Sequence, residues 1–303
     1  MCFRLTDRRF CKSGDSLPPN NFFRWDVRRG NFSGDFFLMN KLKNAFLSKW
    51  IFIIPSVFLT ALFLFPFLAL FIRSFNPDFF KLALSEQAVK ALQLSLLTST
   101  ITTASAVILG TPLAYLLARW KFRFKSWIEL LIDLPIVLPP SVAGLLLLIT
   151  FGRRGLFGST LLTFGISLPF TITAVIVAQT FVAAPLYVRS ERIGFGGIDK
   201  QLEEAASIEG ANQWQLFREV MFPLTSRSIL SGIVLTWTRA LGEFGATILF
   251  AGNLEGVTQT MQMAIYLGFE RNLGIALALS VVLVIVSLAL LMFTKRLDEH
   301  EPH

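Results

Sequence analysis

Charge is scarce in this chain, histidine and tyrosine are scarcer, and each shortage closes off a class of function. Only 16% of the 303 residues are charged, while 53% are hydrophobic and mean hydropathy is +0.61. The two histidines, His300 and His303, sit in the C-terminal tail. No apolar segment therefore holds a His-based metal site or a His general base. The two cysteines, Cys2 and Cys11, are too few and too peripheral for a disulfide framework or a zinc site. No Gly-x-x-x-x-Gly-Lys-Ser/Thr occurs, and none of the ten lysines follows a glycine. A phosphate-cradling loop is thus absent from the sequence. Without intramembrane His, Cys or clustered carboxylates, a membrane enzyme is excluded as well.

What is abundant is apolar: 31 phenylalanines against 3 tyrosines, a lipid-facing composition. A hydrocarbon core of about 30 Å needs roughly 20 apolar residues per helix. Six segments qualify: about 50–72, 91–118, 127–150, 168–189, 227–250 and 273–293. In lipid every backbone polar group must be bonded internally, so these are helices. The fold class expected is all-α, a polytopic membrane protein with six transmembrane helices. The net charge of +8 does not indicate nucleic acid, because the basic residues cluster beside apolar runs. With the N-terminus placed inside, 21 Lys/Arg fall on the cytoplasmic side and six on the other, with Arg239 left in a span. Both termini are therefore expected in the cytoplasm of a cell-membrane protein.

Residues 190–226 are too polar to span and too long for an idle connector. Asp199 can cap a short helix running to Glu209, and Gly210 can end it in a left-handed turn. Asn212 can cap a second helix, with Gln215 as its capping-box partner. Trp214, Phe217 and Val220 recur on one face, and Pro223 is expected to stop the helix. The pattern describes an elbow at the membrane surface. From the residues alone it suits either a docking surface or a solvated amphipathic loop.

Three further places stand out. Pro135, Pro139 and Pro140 must break the third span's hydrogen-bond ladder, either as a packed kink or to line a polar path. Arg239 and Glu243, four apart in the fifth span, share a helix face and invite either a structural salt bridge or a gate. Gly242 and Gly245 beside them permit close helix approach. Arg153 and Arg154 fall in an outer loop, as an anion or binding-protein contact or as a solvated turn. Gln179 reads as an interhelical hydrogen bond. Residues from Thr260 to Glu270 read as a short surface helix.

Glu204-Ala205-Ala206, then Gly210, then Val220-Met221-Phe222-Pro223 resembles the EAA motif of ABC importer permeases, with Val and Phe where the family carries Ile and Leu. The resemblance implies a type I importer permease fold. It makes Glu204, Ala205, Ala206, Gly210 and Pro223 the coupling residues toward a nucleotide-binding ATPase subunit. It also implies an extracytoplasmic substrate-binding protein and a second permease copy as partners, beside membrane lipid. ATP and Mg would be held by the ATPase, with no cofactor on this chain. Narrower similarity to the molybdate permease subgroup lies in Leu134–Pro140, Gly144, Phe151–Gly158, Arg239–Thr247, Phe250–Asn253, Thr258-Gln259-Thr260 and Ala264-Ile265-Tyr266. It makes Pro139, Pro140, Arg239, Gly242, Glu243 and Gly245 candidates for the path or gate. Sulfate and tungstate permeases share parts of these motifs. A secondary anion transporter or channel would not require the EAA segment.

The resulting division is a basic extension over 1–49, a first span and outer loop over 50–86, a transmembrane domain over 87–293 that includes loop 190–226, and a tail over 294–303. The first 49 residues lack the apolar core of a signal peptide, and Arg8-Arg9 has no apolar stretch close behind it. Residues 3–34 are expected to be poorly ordered. Met39, followed by Asn40-Lys41-Leu42-Lys43, is an alternative start. Mass spectrometry of the native protein should then find no peptide upstream of Met39, and one such peptide refutes the assignment.

Overall fold

A computed structural model of the chain describes residues 33–75 and 77–299, with side chains over 50–75 and 77–292. Cys2, Cys11, His300, His303 and the expected disorder of most of 3–34 lie outside the described residues. Among the described residues every regular element is helical. The chain falls into two units, 1–64 and 65–303, and each is taken by itself.

In the first unit, helix α1 (Ser33–Ser74) begins 17 residues before the predicted span. No Gly or Pro lies between Gly34 and Pro55 to stop it, so the helix runs through the basic stretch and past Met39. Its apolar part, Trp50–Ser74, is long enough to cross a membrane and carries on into the second unit.

The second unit follows with α2 (Phe79–Ala83) and the 34-residue α3 (Glu86–Arg119), whose Ser85 cap accepts from the Ala88 amide. The predicted third span becomes two helices, α4 (Lys125–Val137) and α5 (Pro140–Phe151), bent by 118°. Pro140 has no N–H and sits at the first turn of α5, where none is needed. The proline break is thus a reversal rather than a kink within one straight crossing. Helix α6 (Gly158–Thr163) precedes α7 (Ile172–Gly196). The sequence ends this span at 189, but α7 runs seven residues further, because Arg189, Glu191 and Arg192 are good helix formers whatever their polarity.

Beyond it come α8 (Lys200–Ile208), α9 (Gln213–Gln215), a π-helical turn at Leu216–Met221, α10 (Phe222–Leu224) and α11 (Ser226–Leu241). The helical run passes through Pro223, which occupies the first turn of α10, and the 71° bend falls at Thr225 instead. The predicted fifth span is also divided: α11 stops at Leu241, and α12 (Gly245–Ala251) starts after a three-residue break. Helices α13 (Met261–Arg271) and α14 (Leu273–Glu299) complete the chain. Helix α13 is not the surface helix the sequence suggests. Its Met261, Met263 and Ala264 are buried, and Met261 and Ala264 pack with Ala88, Ala91 and Leu279. Among the described residues four helices are long and apolar enough to cross a membrane, and counting each bent pair as one crossing gives six.

Helix α7 lies against α3 and α11, and small residues set the spacing. Tyr187, fully buried on α7, fills the gap between Gly110 of α3 and Gly232 of α11. A Cβ at Gly110 would come within 2.8 Å of the Tyr187 ring, and one at Gly232 within 3.0 Å. The ring's hydroxyl shares a 2.7 Å hydrogen bond with Thr111. Further along α7, Thr102 donates to Gln179 at 3.1 Å, the interhelical bond expected of that glutamine. The aromatic ring leaves no room for a methyl on either flank, so Gly110→Ala should cost about 1–3 kcal/mol through overpacking. Thermal unfolding of the purified variant in detergent measures it, and an unchanged midpoint would show that the helices are free to spread.

Candidate functional site

Two places carry the residues selected from the sequence. The first is the elbow between α7 and α11. Asp199 Oδ1 accepts from the Gln201 amide at 3.0 Å and starts α8. Gly210 stops it with φ +89°. The amide of Ala211 bonds the Ala206 carbonyl and that of Gly210 the Ser207 carbonyl, the paired bonds of a Schellman turn. Asn212 and Gln215 then exchange two 2.9 Å bonds, the reciprocal capping box. Both helix starts and the glycine turn at this corner are thus held by local hydrogen bonds.

The elbow's two faces differ. Phe217 and Val220 turn inward with Ala206, against buried Leu117, Val188, Phe195 and Met221. The Phe217 ring meets Tyr115 of α3 at 5.7 Å and Phe195 of α7 at 6.1 Å. Trp214, placed on that same face by its spacing, stays outside: it stacks on Phe217 at 5.9 Å and is 66% exposed. Glu204 and Ala205 are exposed, and Ile208 is 87% exposed. An exposed isoleucine and tryptophan flanking a glycine corner form an unpartnered apolar surface. On the inner side, Arg119 at the end of α3 pairs with Glu203 at 2.6 Å and donates to the Ile198 carbonyl. Arg192 of α7 pairs with Glu129 of α4 at 3.1 Å. These bridges gather the 119–126 connection and the elbow at one end of the bundle.

The second place is where the two broken spans meet. A Cβ on Gly245 would stand 2.6 Å from Pro140 Cβ, and one on Gly144 would stand 2.7 Å from the Ala246 carbonyl oxygen. The start of α12 therefore rests directly on the start of α5, and the close approach requires glycine at both positions. Pro139, Pro140, Gly242, Glu243 and Gly245 belong to this junction. Arg239 and Glu243 do not share a continuous helix face, because α11 has ended before Glu243. They still meet: Arg239 Nη1 lies 2.5 Å from Glu243 Oε2. The other carboxylate oxygen accepts from the Ala246 amide at 2.9 Å, so Glu243, 1% exposed, ties the end of α11 to the first turn of α12. Gln262 of α13 donates to the Leu241 carbonyl and closes the C-terminal end of α11. Sequence reasoning missed Gln262, since an isolated Gln in a polar stretch carries no signal. It also missed Glu191, fully buried on α7 beside Ser228 and read there as part of a polar loop.

Arg153 and Arg154 are exposed in a turn held by the Leu156 amide on the Ile149 carbonyl and the Phe157 amide on the Thr150 carbonyl. They join neither other place. Among the described residues no group of three or more His, Cys, Asp or Glu could hold a metal ion.

Comparison with known proteins agrees with this architecture. Residues 110–300 match the family described as binding-protein-dependent transport system inner membrane component. The chain is 39% identical over 241 residues to the molybdenum transport system permease protein ModB of Mycobacterium bovis, covering 80% of this chain and 91% of that one. It is 38% identical over 217 residues to the protein of the same name from Escherichia coli K12, covering 71% and 94%. Among solved structures, a bacterial ABC transporter involved in import of the polysaccharide alginate superposes with a TM-score of 0.73 at 18% identity, over 88% of this chain and 99% of that one. The chain belongs to the inner-membrane permease family of binding-protein-dependent ABC importers, and it is a multi-pass membrane protein of that fold.

The Arg239–Glu243 pair has an asymmetric consequence. Removing the arginine leaves a buried carboxylate uncompensated, so Arg239→Gln should cost about 3 kcal/mol of stability. The Arg239→Gln/Glu243→Gln double variant should recover most of that, because the glutamine oxygen still accepts from the Ala246 amide. A double-mutant cycle on thermal unfolding measures the coupling, and additive losses would show that the pair is not an energetic unit.

Proposed function

We propose that this chain is the transmembrane permease subunit of an ATP-driven importer that moves a molybdate-class oxyanion delivered by an extracytoplasmic binding protein. The observation that carries the ATP-driven part is the elbow: a capped corner with Ile208 and Trp214 exposed outside, paired with α3 through Glu203 and Arg119 and packed on α7 through Phe217 and Phe195. Glu204, Ala205, Ala206 and Gly210 present it to a nucleotide-binding subunit, with Ile208 and Trp214 as apolar anchors and Pro223 starting the return to α11. A push on α8 passes through Glu203 to Arg119 of α3, and through Phe217 to Phe195 of α7. ATP and Mg belong to the partner ATPase, which supplies the hydrolysis that this chain has no loop to perform. A second copy completes the path, in membrane lipid, with both termini cytoplasmic as the charge bias dictates.

The molybdate assignment is supported by the relatives' printed function and by the motifs at the broken-span junction. There Pro139, Pro140, Arg239, Gly242, Glu243 and Gly245 form a break-on-break contact at which the path can open or close. Arg153 and Arg154 are the outer cations that draw in an anion or meet the binding protein. In domain terms, residues 87–293 form the transport unit, preceded by 1–49 and 50–86 and followed by 294–303.

Two measurements bear on separate parts of this reading. Gly210→Pro and Glu204→Lys should insert normally yet lose ATP-coupled uptake, and normal ATP-driven uptake in both refutes the coupling role. Labelled-oxyanion uptake in cells carrying the full transporter should favour molybdate over sulfate. Preference for sulfate overturns the cargo, and uptake that survives ATP depletion overturns the ABC mechanism in favour of a secondary transporter or channel.

A further inference from the structure

Away from both places, a polar cavity of about 400 Å³ opens where α1 ends, lined by Arg73, Ser74, Asp78, Lys81 and Asn272 with Phe79 and Leu82 as part of its apolar wall. Its volume is within the range of small-molecule sites. Arg73, Asp78, Lys81 and Asn272 are all exposed, and two features bear on what they can hold. None of Arg73, Asp78 and Lys81 forms an ion pair among the described residues, although all three share the cavity. Neither cation therefore stands within 4 Å of the carboxylate, and no ion pair inside the cavity neutralises either sign. The Asn272 oxygen is committed to the Gly274 amide at 2.9 Å, which leaves its amide N–H groups for a ligand.

The second feature is position. The cavity lies at the end of the 25-residue apolar stretch Trp50–Ser74, the depth at which a lipid headgroup sits. Beside it Phe75 stacks on Phe79 at 6.4 Å, and Phe80 meets Phe79 edge-on at 5.4 Å. Phe75, Phe80 and Leu84 are 82%, 72% and 72% exposed. Phe75, Phe80 of short α2 and Leu84 thus place bare apolar side chains next to unpaired charges.

We infer that this cavity binds the zwitterionic headgroup of a phosphoethanolamine lipid. Arg73 and Lys81 hold the phosphate, Asp78 accepts from the primary ammonium, and the Phe75–Phe80 cluster lies along the acyl chains. A carboxylate in a purely phosphate-binding pocket would repel the ligand, whereas a phosphodiester with an ammonium two carbons away offers each of the three side chains a group of opposite charge. The inference rests on the membrane-spanning reading, not on the cargo or the coupling role.

Native mass spectrometry of the purified protein, released from vesicles of equal phosphatidylethanolamine, phosphatidylglycerol and phosphatidylcholine, tests it. The unaltered chain should retain phosphatidylethanolamine over the other two. Arg73→Gln/Lys81→Gln should lower retention of phosphatidylethanolamine and phosphatidylglycerol alike by about fivefold or more, the scale of lost charge-assisted hydrogen bonds. Asp78→Asn should keep phosphatidylglycerol but lose the preference for phosphatidylethanolamine. Melting temperatures within a degree or so of the parent establish that each variant is folded, and Lys81→Gln alone, with the same direction of change, replaces the double variant if that one is not. No headgroup preference in the parent chain, or an unchanged preference in Asp78→Asn, overturns the assignment. Displacement of the lipid by millimolar soluble glycerophosphoethanolamine would identify the ligand as a free headgroup compound and overturn the lipid.

Discussion

The fit of Tyr187 between Gly110 and Gly232 fixes the spacing on which the other contacts depend. Lipid gives apolar side chains no reason to prefer one another, so helices in a membrane hold together by close approach and by polar bonds between them. Tyr187 supplies both, filling the gap left by two glycines and anchoring its hydroxyl on Thr111. Helix α7, held this way, belongs to two apolar clusters at once. Val182 packs with Ala143, Ala246 and Phe250 beside the broken-span junction. Val188 packs with Leu117, Phe195 and Met221 beneath the elbow. Six residues separate them, about 9 Å along the helix axis. A single helix, with Pro185 between the two clusters, therefore touches both the corner that a partner would press and the contact where two helices are interrupted.

The interruptions obey the rule that a backbone in lipid must find its hydrogen bonds inside the protein. At the end of α11 Gln262 answers the Leu241 carbonyl, while Glu243 reaches the Ala246 amide and Arg239 together. At α5 the problem is avoided by Pro140, which has no amide hydrogen to satisfy. One break is closed by side chains, and the other by the missing amide of Pro140 together with the Pro139 carbonyl, which accepts from the Val142 and Ala143 amides. They sit together because Gly245 and Gly144 let the chains touch.

Much of this could be read from residue order. Capping at Asp199, Asn212 and Gln215 is local chemistry, and the structure carries it at the positions where the residues stand. The left-handed turn at Gly210 is equally local. What could not be read was decided by tertiary contact or by stretches whose polarity misleads. Hydropathy ended α7 at 189, although charged residues are good helix formers where a bundle end leaves the membrane. Spacing put Trp214 with Phe217, but the π-helical turn at Leu216–Met221 rotates the register between them. Periodicity also joined Arg239 to Glu243 along one helix. The contact survives across a helix end only because Glu243 is held by the next helix. The 118° reversal after Val137 is a matter of packing against α12, to which the proline pattern alone is blind.

The elbow's glycine has a consequence of another kind. A Cβ added to Gly210 would meet no atom within 4 Å, so the position is not crowded. Its restriction comes from φ +89°, a region that costs an L residue about 1–2 kcal/mol through its own backbone. The requirement at this corner is thus one of chirality, not of size. A mirror-image alanine placed there by chemical synthesis would suit the backbone of the turn better than its natural counterpart.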